Sequence, residues 1–119
     1  MDKLSSHKSL KELQNESSQI RRKYPGRIPV IVTVNNEWFK SSLPKLDKNK
    51  FLVPIDLTMG QFMYIIRKRL KLDSSKAIFL YTNNNITPAT SELIGTLDTK
   101  YCDDTGVLKF NLCSESTFG

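Results

Sequence analysis

Few residues in this chain are equipped for chemistry. One histidine, His7, and two cysteines, Cys102 and Cys113, are all it offers for metal ligation or thiol nucleophilicity. The cysteine pair lacks the spacing of a metal motif, and a single histidine leaves little scope for zinc. Neither a second histidine nor a general base accompanies Cys113, so it reads as an inert or buried thiol rather than a nucleophile. Reduced thiols are favoured over a disulfide, and His7 reads as an exposed residue near the start of the chain. No catalytic residue, metal or cofactor is therefore expected. One candidate is left, the ending Glu115-Ser116-Thr117-Phe118-Gly119, which follows the strand-like run "VLKFNLC". It is either a frayed terminus or a reactive carboxyl terminus, and the ending alone does not choose.

The elements behind that ending narrow the choice. A chain of 119 residues, 39% hydrophobic, has the material for one domain with a modest core. Lys and Arg number 18 against 12 Asp and Glu, a net charge of +6, which suits an acidic peptide, an anionic membrane surface or nucleic acid. No apolar run approaches the roughly 20 residues of a membrane span, and "MDKLSSHKSLKELQNE" lacks the apolar stretch of a secretory signal.

"SLKELQNESSQIRRKYP" opens with a capping box, Ser9 with Glu12, and places Leu10, Leu13, Ile20 and Tyr24 near one helical face that Ser17 interrupts. Pro25-Gly26 ends this helix; a shorter one is expected before it, around Lys3 to His7. In the strand "RIPVIVTV", Ile28, Val30, Val32 and Val34 point one way, and Pro29, Ile31 and Thr33 the other. Both sets are largely apolar, so both faces should be covered. "NNEWFKSSLPKLDKN" is a long polar connection carrying Trp38, which reads as a packed or partly exposed loop residue. "KFLVP" is a second strand, "TMGQFMYIIRKRLKL" a helix capped by Thr58 and Gln61, "AIFLYT" a third strand, "TSELIGTLDTKY" one or two helical turns, and "VLKFNLC" the last strand. The basic run Arg67-Lys68-Arg69-Lys71 reads first as a solvated helix end that complements the dipole.

This order predicts an α+β fold: a four-stranded mixed sheet of the β-grasp kind, with the central helix on one face and the N-terminal helix covering the other.

The segments "IRRKYPGRIPVIV", "LDKNKFLVP", "LTMGQFMYIIRKRL" and the ending "TFG" resemble the autophagy ubiquitin-like modifiers, the family of GABA-receptor-associated protein and microtubule-associated light chain three. The resemblance runs from about Ser9 onward; the first eight residues and the connection "NNEWFKSSLPK", longer than usual, match poorly. It implies a ubiquitin-like β-grasp with an N-terminal helical extension: residues 1–26 the extension, 27–113 the core and 114–119 a conjugation tail. It also implies attachment through Gly119 to phosphatidylethanolamine on autophagosome membranes, with a cytoplasmic pool. An E1-like and an E2-like enzyme would carry the glycine, and a family cysteine protease would trim precursors and release the lipidated form. A glycine carboxyl carbon, with no Cβ beside it, is open to attack, and Phe118 would supply an apolar anchor just behind it.

The resemblance further implies that cargo receptors dock aromatic-x-x-aliphatic peptides as an added strand. Carried over by matching segments, the aromatic pocket would use Glu16, Ile20, Pro29, Ile31, Lys50, Leu52 and Val107. The aliphatic pocket would use Phe51, Val53, Pro54, Leu57, Phe62 and Ile65, and Arg27, Lys48, Lys50 and Arg67 would meet acidic flanks. Relatives often carry an aromatic residue where Val107 stands, so this pocket is expected to be wider or shallower. Periodicity by itself assigns Ile20, Leu52, Phe62 and Ile65 to the core; only the resemblance makes them pocket residues. Two other functional classes compete. One is a ubiquitin-like interaction module that does not conjugate. The other is a nucleic-acid binder, ranked last because no recognition signature accompanies the charge.

Overall fold

Two reciprocal capping boxes begin the two longer helices of a computed structural model, which describes residues 8–34, 49–72 and 77–113. Ser9 Oγ accepts from the Glu12 N–H and Glu12 Oε1 from the Ser9 N–H, each at 3.2 Å, starting α1 (Leu10–Lys23). Thr58 and Gln61 do the same at 3.1 and 2.9 Å, starting α2 (Met59–Leu70). Each box satisfies two amide donors that a helix start otherwise leaves without intrahelical partners. α2 ends on Lys71, which adopts the left-handed conformation (φ 56°) and closes the last turn through its own N–H. The shorter helix expected around Lys3 to His7 and the connection carrying Trp38 lie outside the described residues.

The strands are β1 (Arg27–Val34), β2 (Lys50–Pro54), β3 (Phe79–Thr82) and β4 (Leu108–Cys113), with α3 (Ile94–Tyr101) between the last two. They form one sheet in the order β2-β1-β4-β3, in which β1 and β4 are parallel and both outer pairs antiparallel. This is the predicted mixed four-stranded sheet. Two boundaries shift: β3 begins at Phe79 rather than Ala77, and β4 at Leu108 rather than Val107. Pairing sets both starts, because Phe79 is the first residue with a partner, Cys113, and Val30↔Leu108 is the first parallel pair. The expected one or two turns in "TSELIGTLDTKY" are an eight-residue helix.

Register divides the sheet into two faces. Ile28 faces Val53, Val30 lies between Phe51 and Leu108, and Val32 faces Phe110. These residues are buried with Met59, Phe62, Ile66 and Leu70 of α2 and Ile94 and Leu97 of α3 in one core. The Phe62 ring meets Phe51 edge-on at 5.6 Å and Phe110 at 6.0 Å, spacings at which aromatic pairs attract. The opposite face carries Pro29 against Leu52 and Ile31 between Lys50 and Lys109. α1 covers this second face, as the double-sided apolar pattern of β1 required.

The apolar stripe expected on α1 is only partly used. Leu10 and Tyr24 are 49% and 39% exposed, while Ser17, which interrupts the stripe, is the buried residue of the helix. A hydrogen-bonding site beneath the middle of α1 reverses the ranking that hydropathy gave these residues.

Candidate functional site

Between α1 and the second sheet face lies a cavity of about 540 Å³. The helix contributes Leu13, Glu16, Ser17 and Ile20, whose spacing turns them toward the same side. Alternation in the strands contributes the rest: Pro29 and Ile31 from β1, Lys50 and Leu52 from β2, and Val107 at the entrance to β4. All seven residues expected for an aromatic pocket thus line one cavity. Arg27, Val30 and Phe51 complete its lining.

The cavity opens along a sheet edge. Among the described residues β2 has a strand neighbour on one side only, β1. Leu52 is 37% exposed, so the strand presents an apolar side chain at its rim. Pro29, its register partner, has no N–H to donate; the Leu52 carbonyl accepts from Arg27 Nη1 at 3.3 Å. Charge at the cavity is mostly positive, from Arg27 and Lys50, and Glu16 is ion-paired with Lys8. An apolar hollow with cationic residues beside an open strand edge suits an extended acidic segment bearing one large apolar side chain.

The six residues expected for the aliphatic pocket are placed differently. Phe51, Val53 and Phe62 are buried in the main core. Pro54 and Leu57 are half-buried, and Ile65 is 38% exposed on α2. The six are thus divided between the core and the surface rather than lining one described cavity. Of the four cations assigned to acidic flanks, Arg27 and Lys50 border the cavity, Arg67 sits half-buried on the last turn of α2, and Lys48 lies outside the described residues. Phe118 and Gly119 also lie outside them.

Sequence reasoning missed Leu13 and Ser17 as cavity residues, although their spacing from Glu16 and Ile20 puts all four on adjacent helical positions. It also missed what holds α1 in place. Gln14 Nε2 donates to the Asp104 carbonyl at 2.9 Å, and Ser17 Oγ to the Thr105 carbonyl at 2.7 Å. Arg21 donates from Nη1 and Nη2 to the two Asp98 carboxylate oxygens at 2.9 and 2.8 Å. The same guanidinium reaches the Gly106 carbonyl from Nη2 at 2.9 Å and from Nε at 3.2 Å. The hydrogen bonds it donates to Asp98 hold the Arg21 pKa above its ordinary value, and burial opposes this only in part.

The turn receiving these bonds is itself braced. Asp103 accepts from the Thr105 N–H at 2.9 Å and from Lys109 Nζ at 2.8 Å. Burial pushes the Asp103 carboxyl up, but the bonds from Lys109 and Thr105 outweigh it and hold it below its ordinary value. Burial raises both thiols, Cys102 and Cys113, which disfavours the nucleophilic thiolate. Among the described residues no cluster of His, Cys, Asp and Glu could hold a metal ion, and no helix is long and apolar enough to cross a membrane.

Residues 12–119 match the family model described as autophagy protein Atg8, ubiquitin-like. The chain is 46% identical to autophagy-related protein 8a of Arabidopsis thaliana over 110 residues, covering 92% of this chain and 87% of that one. Against autophagy-related protein 8 of the yeast Lodderomyces elongisporus it is 47% identical over 107 residues, covering 89% and 70%. The crystal structure of Trypanosoma brucei ATG8 superposes with a TM-score of 0.81 at 34% identity, over 98% of this chain and 97% of that one. Plasmodium falciparum Atg8, solved in complex with a P. falciparum Atg3 peptide, gives 0.82 at 34% identity, over 95% and 96%.

Proposed function

The chain belongs to the Atg8 family of ubiquitin-like autophagy modifiers, and on that premise we propose that it is conjugated through Gly119 to phosphatidylethanolamine and recruits cargo receptors from the membrane. The chain performs no catalysis in this scheme; it is the acyl group that other proteins' cysteines carry. ATP converts the Gly119 carboxylate to an adenylate with loss of pyrophosphate. A thiolate of the E1-like enzyme displaces AMP to form a thioester, and an E2-like cysteine takes the acyl group by exchange. The lipid amine attacks the carbonyl carbon, the thiol leaves, and an amide is formed. The P. falciparum relative, solved with an Atg3 peptide, supports an E2-like partner for this chain. A family cysteine protease would later hydrolyse the amide. The cytoplasmic pool and the autophagosome membrane are the two locations this scheme requires.

Recruitment rests on one observation: the cavity between α1 and the second sheet face gathers all seven aromatic-pocket residues beside the open edge of β2. A peptide adding to β2 gains backbone hydrogen bonds along the edge and places its aromatic side chain in the cavity. Its aliphatic side chain, three residues further along the added strand, settles among Pro54, Leu57 and Ile65. Arg27, Lys50 and Arg67, with Lys48, meet acidic residues flanking the motif, each exposed pair being worth about 0–1 kcal/mol. Burying the aromatic anchor contributes about 1.5–3 kcal/mol.

Two experiments test the two halves. Incubated with the activating and carrier enzymes, ATP and phosphatidylethanolamine liposomes, the wild type should give a faster-migrating lipidated band, and a chain lacking Gly119 none; no band from wild type would defeat the conjugation half. In calorimetry, a peptide with an acidic stretch before Trp-x-x-Leu should bind at micromolar affinity. Absence of heat at millimolar peptide would defeat the other half.

A further inference from the structure

The hydrogen bonds that dock α1 run along one border of the cavity, where Ser17 both lines it and bonds the Thr105 carbonyl. Gln14, Ser17 and Arg21 recur at intervals of three and four residues, so they form a second stripe next to Leu13, Glu16 and Ile20. The cavity stripe has little to hold it down, because Glu16 is exposed and Leu13 and Ile20 are only half-buried. The polar stripe makes directed contacts to the turn Asp103–Gly106, and Arg21 alone reaches both that turn and α3. The next residue, Val107, lines the cavity opposite α1. The two cavity walls, Ile20 on the helix and Val107 on the strand entrance, are thus tied at their immediate neighbours by Arg21 and the Gly106 carbonyl, while Gln14 and Ser17 bond the same turn further from Val107.

We propose that Arg21 is a positioning residue for ligand binding: its fork onto Asp98 and the Gly106 carbonyl fixes how far α1 stands from the sheet, and so holds the cavity at the width an aromatic side chain fills. This rests on the reading of the cavity as a peptide site. The chemistry suits the task. A planar guanidinium donates in fixed directions to two acceptors at once, whereas an ammonium on a flexible stem holds its partner at no set angle. Arg21 and Asp98 are largely shielded, with side-chain exposures of 32% and 14%, so the pair is less screened than the exposed Lys8–Glu16 pair. Without the fork, α1 retains the single bonds of Gln14 and Ser17 and samples positions in which the cavity is too open or too closed. Apparent affinity then falls by the fraction of time the competent position is lost.

The test uses the full chain as wild type, Arg21→Ala, Arg21→Lys and Asp98→Asn, at a temperature where circular dichroism and amide protection of the strands show each fully folded. A residue that only adds stability leaves the affinity of a fully folded protein unchanged, so any change in Kd there reports position. The Trp-x-x-Leu peptide should bind Arg21→Ala about tenfold more weakly, corresponding to a competent fraction near one tenth, with Arg21→Lys and Asp98→Asn between it and wild type. Hydrogen exchange supplies a readout without ligand: in Arg21→Ala, protection should fall in α1 while β1 and β4 keep theirs. Unchanged α1 protection, or wild-type affinity in folded Arg21→Ala, overturns the inference. If wild type itself binds no peptide, the peptide reading of the cavity fails, and the exchange comparison still decides whether Arg21 fixes α1.

Discussion

Gly106 is where the docking of α1 can be challenged most directly. Its φ is +80°, and a Cβ built there would stand 2.2 Å from Ser17 Oγ and 3.0 Å from Ser17 Cβ. Gly106→Ala therefore costs twice. An L-residue in the left-handed region carries about 1–2 kcal/mol of strain. The new methyl also displaces the Ser17 hydroxyl, breaking its bond to the Thr105 carbonyl, a loss of about 1 kcal/mol. The expected total is about 2–3 kcal/mol, a large share of the 5–15 kcal/mol typical of a domain. Urea unfolding followed by circular dichroism measures it, with the slope unchanged. A double-mutant cycle isolates the clash. In a Ser17→Ala background the hydroxyl is already gone, so adding Gly106→Ala should cost about 1 kcal/mol less than it does in wild type. A loss below about 0.5 kcal/mol for the single variant, within the range of surface substitutions, would refute the packing argument. Strict additivity in the cycle would refute the clash and leave only the backbone strain.

Lys71 holds a left-handed φ of 56° at the end of α2, so Lys71→Gly should stabilise the protein by about 0.5–1 kcal/mol in the same unfolding assay. Phe110 is buried against Phe62 at 6.0 Å, and Phe110→Ala should cost about 3–5 kcal/mol, read as a lowered urea midpoint; a loss under 1 kcal/mol would mean the core collapses around the gap. The folded-state pKa of Asp103 lies below its ordinary value, so its contribution is present above the unfolded-state pKa, near 4, and is lost as pH falls through the folded value. Asp103→Asn should flatten the acid side of the stability profile, measured by urea midpoints across that window; an unchanged profile would remove Asp103 from the acid response.

Much of this molecule is written locally. Both capping boxes, the alternation of β1 and β2, the spacing of Phe62, Ile65, Ile66 and Leu70 on α2, of which only Ile65 stays exposed, and the order of the elements depend on neighbours within a turn or a pair of residues. Such patterns survive in one dimension because a helix repeats every 3.6 residues and a strand every two. The seven cavity residues were legible for a different reason: their segments match a family, and alternation put Pro29 and Ile31 on the face away from Val30 and Val32. What escaped was the docking of α1. Ser17 interrupts an apolar pattern, and Arg21 stands in the last turn of α1, where any cation suits the helix dipole. Their partners, Thr105, Asp98 and Gly106, lie 77 to 88 residues away in sequence. The burial of Phe51, Val53 and Phe62 in the core, while Ile65 stays 38% exposed, likewise follows from how α2 lies on the sheet. Periodicity records which side of an element is apolar. Which distant carbonyl a buried hydroxyl or guanidinium meets is decided only when two elements come to rest against each other, because a hydrogen bond depends on distances and angles that no local pattern carries.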